Sequence, residues 1–295
     1  MNKVIKYTLL FFLLFSFNNS FSQKNKKDSK NESSLYSGLK FRSVGPAFMS
    51  GRIAEIAINP ENENEWYVAV GSGGAWKTVN AGTTWEPLTD NQSFYSTGSI
   101  TIDPNNTSTI WLGTGENVGG RHVGIGKGVF VTKDGGKTWK NKGLNNSEHI
   151  SKIIVNKKDS NVVFVASQGP LWSSGGERGL YKSIDGGSNW NLVLSVNEWT
   201  GVTDVVVDPR DENIMYAATW QRHRNVAAYM GGGVGTKLFK STDGGDSWRQ
   251  LKTGLPTGKL GKIGLAISEI NPDVLYAAIE LDRRKGAVYR SSNGG

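Results

Sequence analysis

The sequence predicts an all-β fold, a β-propeller of four-stranded antiparallel blades, with about five blades present and the ring incomplete. Three observations predict it. An eight-residue pattern recurs at 78–85, 132–139, 183–190 and 241–248 and begins again at 291–295. Its acidic or amide position falls at Asn80, Asp134, Asp185, Asp243 and Asn293, at intervals of 54, 51, 58 and 50 residues, each the length of one four-stranded blade. Ahead of every copy lie two short apolar strands, and the 295-residue chain has 38 Gly and 10 Trp but no Cys. Stability must therefore come from packing between repeats and not from disulfides.

The blades are expected at about 41–90, 93–145, 148–196, 199–254 and 259–295. Within each, an early strand closes on proline, as at Ile58-Asn59-Pro60, Ile102-Asp103-Pro104 and Val207-Asp208-Pro209. A nearly continuous apolar strand follows, at 66–70, 110–112, 162–166, 214–218 and 274–279, the pattern of a strand covered on both faces. An aromatic strand ending in a hydroxyl comes next, at 75–78, 129–132, 180–183, 238–241 and 288–291.

The repeated box then has a mechanical reading as an Asp-box turn. Asp or Asn folds its side chain onto backbone amides, glycine supplies positive φ, and the Ser/Thr hydroxyl ties off the strand. Trp85, Trp139, Trp190 and Trp248 occupy one position in four boxes, which makes them blade anchors. One acid per blade, spread around a ring, cannot form a catalytic pair, because cooperating carboxylates stand within about 5–10 Å of each other.

Ahead of the repeats, residues 1–22 read as a signal peptide. Lys3 and Lys6 precede an apolar stretch at 7–17 and the small-residue end Ser20-Phe21-Ser22, with cleavage expected before Gln23. Residues 23–37, nearly all Asn, Ser, Lys and Asp, read as a disordered linker. The stretch 1–40 holds seven Lys against Asp28 and Glu32, so most of the net charge of +8 is leader and linker, and nucleic acid is not an expected partner. No membrane span is expected after cleavage, and the expected location is secreted, periplasmic or cell-surface.

These boxes resemble the Asp-box repeats of sialidases, family 74 xyloglucanases and sortilin-type receptors. The segments Phe41-Arg42-Ser43-Val44-Gly45-Pro46, Gly73-Gly74-Ala75-Trp76-Lys77-Thr78 and Leu260-Gly261-Lys262-Ile263-Gly264 are similar to those of large secreted BNR-repeat proteins of Bacteroidota, labelled glycosyl hydrolase or sortilin N-terminal domain-containing. The resemblance implies a propeller with further blades or domains C-terminal to residue 295. It does not carry over known catalytic residues. Where xyloglucanases place an Asp before a Gly-Gly pair, this chain reads Gly71-Ser72-Gly73-Gly74; the sialidase Arg clamp and Tyr-Glu pair are likewise missing.

Function is therefore expected on the face opposite the boxes, where the longer loops converge. Binding candidates there are Arg121, His122, His149, Arg178, Trp220, Arg222 and His223, with Trp172, Trp199 and Tyr229 beside them. Arg and aromatic side chains suit a glycan or an extracellular protein or peptide. A glycoside hydrolase would need two carboxylates on that face, with Glu116, Glu177 and Glu280 as the candidates. No cofactor is expected, and no metal, since the three histidines show no ligand spacing. The glycine runs at 119–128 and 231–235 lack a following helix and read as flexible loops.

Overall fold

The computed structural model describes residues 51–282 and 285–295, and all regular structure in them is β. The expected signal peptide, linker and opening of the first blade lie outside the described residues, as do Arg283 and Arg284. Four sheets have four strands each, in simple chain order. The first is β1 (Ile53–Asn59), β2 (Asn62–Val70), β3 (Gly74–Thr78) and β4 (Glu86–Pro87). The second is β5 (Thr97–Asp103), β6 (Asn106–Thr114), β7 (Val129–Thr132) and β8 (Lys140–Asn141). The third is β9 (Ile150–Val155), β10 (Val163–Ser167), β11 (Gly179–Ser183) and β12 (Asn191–Leu194). The fourth is β13 (Thr200–Asp208), β14 (Asp211–Gln221), β17 (Leu238–Ser241) and β18 (Arg249–Leu251), and its long loop carries a small hairpin, β15 (His223–Arg224) with β16 (Tyr229–Met230). A fifth sheet has three strands, β19 (Ile263–Ile267), β20 (Leu275–Glu280) and β21 (Gly286–Ser291). Every pairing is antiparallel, and the succession of sheets fits a β-propeller.

The second strands are buried as their composition requires. Residues 110–114 of β6 and all of β10 are closed off from solvent, because each sheet is covered by a neighbour on both faces. Four apolar clusters fill the junctions: Tyr67, Ile100 and Phe130 in one, Trp111, Ile153 and Val165 in the next, then Phe164, Val205 and Met215, then Leu238, Ile263 and Ile279. The outward flanks differ. Ile56 and Ile58 on β1 and Tyr276 and Val288 in the fifth sheet are exposed.

One register position on the innermost strands stitches sheet to sheet. It is occupied by Glu55, Ser99, Lys152 and Asp204, opposite Ala69, Gly113, Ala166 and Ala218. Glu55 Oε2 accepts the N–H of Ile100 at 2.9 Å, Ser99 Oγ accepts that of Ile153 at 3.1 Å, and Asp204 Oδ2 accepts that of Leu265 at 2.8 Å. Lys152 has no acceptor to offer. Its ammonium pairs with Glu55 instead, and the N–H of Val205, the next in the series, is taken by Asp204 Oδ1 at 2.9 Å. The first, second and fourth inner strands thus hold the next by a side chain that satisfies a backbone donor, and the third is tied back to the first by the Lys152–Glu55 pair.

A second set of contacts ties the outer strands. Trp139 Nε1 donates to the carbonyl of Leu88 in the preceding sheet at 3.1 Å, and Trp190 Nε1 to that of Lys142 at 2.7 Å. Lys182 donates to the carbonyl of Gly244 in the following box at 2.9 Å, and Lys240 and Tyr216 both donate to that of Gly294. Between the outer strands of the fourth and fifth sheets lies a cleft of about 410 Å³ lined by Leu251, Leu255, Tyr276 and Tyr289.

Candidate functional site

Because the strands alternate in direction, the turns after the first and third strands of each sheet share one face, and all other connections share the opposite one. The first face carries the boxes. Thr132 Oγ1 donates to Asp134 at 2.6 Å and accepts the N–H of Gly136 at 3.0 Å, while Asp134 accepts the N–H of Thr138 at 2.9 Å. The same bonds recur at Asn80, Asp185 and Asp243, and in part at Asn293. Gly135 and Gly136 have φ of 70° and 100°, and the first box holds Ala81 at φ 51° where the others have glycine. The side-chain hydrogen bond from Thr132 holds the Asp134 carboxyl well below the usual carboxylate range, that from Ser247 does the same for Asp243, and that from Asn189 holds Asp185 at about 2. These acids are ionised turn locks. The box indoles of Trp85, Trp139, Trp190 and Trp248 are half-buried, with Trp85 tilted on Trp66 and Trp190 edge-on to Trp111.

On the opposite face the 115–128 connection acts as a strap. Glu116 opens it and is 1% exposed; its carboxylate accepts Arg52 Nη2 at 2.5 Å, Ser72 Oγ at 2.9 Å and the N–H of Gly124 at 3.2 Å. Gly71 leaves room for it, since a Cβ there would stand 2.9 Å from Glu116 Oε1. Past Glu116 the strap touches three further sheets. The Asn117 carbonyl accepts from Gln168 Nε2 at 3.1 Å and Lys262 Nζ at 2.7 Å, and the Val118 carbonyl accepts from Arg222 Nη1 at 2.8 Å. Gly119 lies under Tyr229, where a Cβ would be 1.7 Å from the hydroxyl.

Several residues expected on the accessible surface are interior for this reason. Arg222 is fully buried, and its second guanidinium arm donates to the Gly169 carbonyl at 3.1 Å. Trp220, 3% exposed, has two cations over its ring, Arg222 at 5.2 Å and Lys262 at 5.3 Å. Arg178 folds its own loop by donating to the carbonyls of Gly175, Gln168 and Ser173. His149 Nδ1 donates to the Glu116 carbonyl at 2.9 Å; burial and the nearby Arg222 charge push it down to about 3, so it is neutral and its 3.8 Å approach to Glu148 is not an ion pair. Burial also lowers Lys262 to about 8, with Arg222 adding to the effect, Arg222 to about 9 and Arg178 to about 10. The cluster is positive, and its donors end on carbonyl dipoles instead of carboxylates.

What stays accessible is a different subset. Arg121, His122 and Glu280 are exposed, and Glu177 and His223 are half-buried. Glu177 accepts the N–H of Asn146 at 2.7 Å, and His223 packs on Trp199 with ring centroids 4.2 Å apart and planes tilted by 56°. Trp172 is 46% exposed and Tyr229, under the Arg224 guanidinium, 37%. Beside the first sheet, a cleft of about 470 Å³ is floored by Gly73 and Gly74 and rimmed by Asp90, Gln92 and Tyr95. Glu116, Glu177 and Glu280 belong to the second, third and fifth sheets and are buried, half-buried and exposed in turn. Lys262 and Arg52 had no local sequence signal, since both act on residues far away in the chain. Among the described residues no cluster of His, Cys, Asp or Glu could hold a metal ion, and no helix is long and apolar enough to cross a membrane.

A family model described as Sortilin, neurotensin receptor 3, matches residues 127–295. A probable oligoxyloglucan-reducing end-specific xyloglucanase of Neosartorya fischeri is 25% identical over 221 residues, covering 68% of this chain and 24% of its own length. A xyloglucanase of Acetivibrio thermocellus is 24% identical over 224 residues, covering 66% and 25%. The chain thus spans about a quarter of the length of these curated relatives. Among solved structures, a GH74 enzyme of Niastella koreensis matches with a TM-score of 0.60 at 17% identity, over 82% of this chain and 37% of that one. An ancestral GH74 enzyme matches at 0.62 and 17%, over 84% and 32%. These structures share the fold. The family model spans more than half of the chain, and the chain belongs to the Sortilin-Vps10 family.

Proposed function

We propose that this chain is part of an exported β-propeller protein that binds a polysaccharide through the face opposite its Asp boxes. The observation that carries the reading is where the aromatic rings lie. The box indoles are half-buried, with Trp139 and Trp190 hydrogen-bonded to neighbouring sheets, whereas Trp172, Tyr229 and Tyr95 keep 46%, 37% and 57% of their surface open on the loop side. Open rings beside hydrogen-bonding side chains suit sugar faces. The similarity to xyloglucanases supports a glycan over a peptide as ligand. In this reading the five sheets are five blades, residues 1–22 export the chain, and further blades cover the apolar flanks at Ile56 and Val288. Affinity electrophoresis against soluble β-glucans tests it: Trp172→Ala with Tyr229→Ala is expected to weaken binding at least about tenfold, or about 1.4 kcal/mol. Undiminished binding by that variant, or no retention by any polysaccharide, refutes the reading.

A glycoside hydrolase is the second reading, favoured by the same relatives. Exposed Glu280 is then the carboxylate to remove, since Glu116 is committed to Arg52, Ser72 and Gly124. Loss of reducing-end release in Glu280→Gln, with binding retained, would establish it.

A further inference from the structure

The two faces differ in charge. On the loop side, the connections 71–73, 88–96, 115–128, 142–149, 168–178, 195–199, 222–237 and 252–262 carry ten Lys or Arg and five Asp or Glu. On the box side, the turns 60–61, 79–85, 104–105, 133–139, 156–162, 184–190, 209–210, 242–248 and 268–274 carry five and eight. Pairing sharpens the contrast. On the box side Arg210 bridges Asp208 and Asp273, and Asp246 holds Lys182. Among the described residues no salt bridge engages any of the ten loop-side cations, because Glu116 is taken by Arg52 and the neighbour of Glu148 is a neutral histidine.

Beneath that surface, Arg222 is buried and Lys262 half-buried, both with carbonyls as their hydrogen-bond acceptors, and Arg222 Nε has no partner among the described residues. Low-dielectric surroundings let such charges act over a longer range than surface ones. The bond from Lys262 to the Asn117 carbonyl also ties together the two connections that carry the exposed Lys259 and Arg121.

We infer that the loop face takes a polysaccharide carrying negative charge, as uronate carboxylates or sulfate esters, in preference to a neutral one. The inference rests on the polysaccharide-binding reading and adds the ligand's charge to it. Guanidinium and ammonium groups would engage the anionic substituents while Trp172 and Tyr229 stack on the sugar rings. Neutral chains would use the rings alone.

Binding of the full chain to xyloglucan, polygalacturonate, dextran sulfate and duplex DNA, measured at low and moderate salt, tests this. Polygalacturonate or dextran sulfate is expected to bind at least about tenfold tighter than xyloglucan at low ionic strength and to lose about tenfold on raising salt from about 50 to about 300 mM. Whichever of the two binds tighter identifies the anionic group. Arg121→Glu with Lys259→Glu, both exposed and so leaving the thermal melt unchanged, should abolish the preference; Lys133→Glu with Lys137→Glu on the box side should leave it intact. Equal, salt-insensitive affinity for neutral and acidic chains overturns the inference while leaving the polysaccharide reading standing. DNA bound as tightly as the acidic glycans also overturns it, since the face would then read charge without sugar. If no polysaccharide binds, both fall.

Discussion

Replacing Glu116 with Gln separates a catalytic carboxylate from a structural one. The side chain is 1% exposed and accepts three donors, from Arg52, Ser72 and Gly124. A hydrogen bond to a charged group contributes about 1.5–3 kcal/mol, and removing one leaves a buried group unsatisfied at similar cost. Arg52 is 48% exposed, so solvent screening puts its share at the low end. Gln keeps one acceptor oxygen for two of the donors but turns an NH₂ toward the third. The expected loss is about 2 kcal/mol, read as a lower urea midpoint with an unchanged slope. Glu280→Gln, on an exposed side chain, should cost less than about 0.5 kcal/mol. If Glu116→Gln leaves the midpoint in place yet abolishes saccharide release, the structural role of Glu116 is refuted.

Three further outcomes follow from the packing. Trp190→Ala removes a ring edge-on to Trp111 and the donor to Lys142, and should cost about 4 kcal/mol by chemical denaturation, while Trp190→Phe, which loses only the N–H, should cost about 1 kcal/mol. His149 is pushed from 6.5 to about 3 by burial, so the unfolded chain binds its proton first. Its contribution to stability is full above pH 6.5 and is lost as pH falls toward 3; His149→Gln should flatten that limb of the stability–pH profile. Gly98→Ala would set a Cβ 2.2 Å from the Ile150 carbonyl oxygen and 2.3 Å from that of Gly115, and should cost about 3 kcal/mol or more. Gly254→Ala meets no atom within 4 Å and carries only the strain of its φ of 73°, about 1 kcal/mol in the same denaturation assay.

The sheets were legible because their signals are local. An Asp box is closed by bonds that span two to four residues, such as Ser183 to Asp185 and Asn189 to Asp185, so its sequence dictates its turn. Strands covered on both faces announce themselves by unbroken apolar runs. The candidate site was legible only as a face. That Arg222 would be buried, or that Trp220 would carry two cations over its ring, depends on bonds from Arg222 to Val118 and from Lys262 to Asn117, over 104 and 145 residues. No periodicity encodes such pairs. Arg121 and His122 differ from Arg222 and His149 in nothing local; the strap that covers the second pair leaves the first outside.

The strap also changes how the molecule should come apart. A row of repeats that touch only their neighbours melts one unit at a time from its ends, with a broad transition. Here a loop of the second sheet is fastened to the third, fourth and fifth, so detachment of the fifth sheet must release Asn117 from Lys262 and expose the cations stored beneath. Those charges repel one another once their carbonyl partners leave. Loss of the fifth sheet should therefore be felt in the second, third and fourth through this one loop.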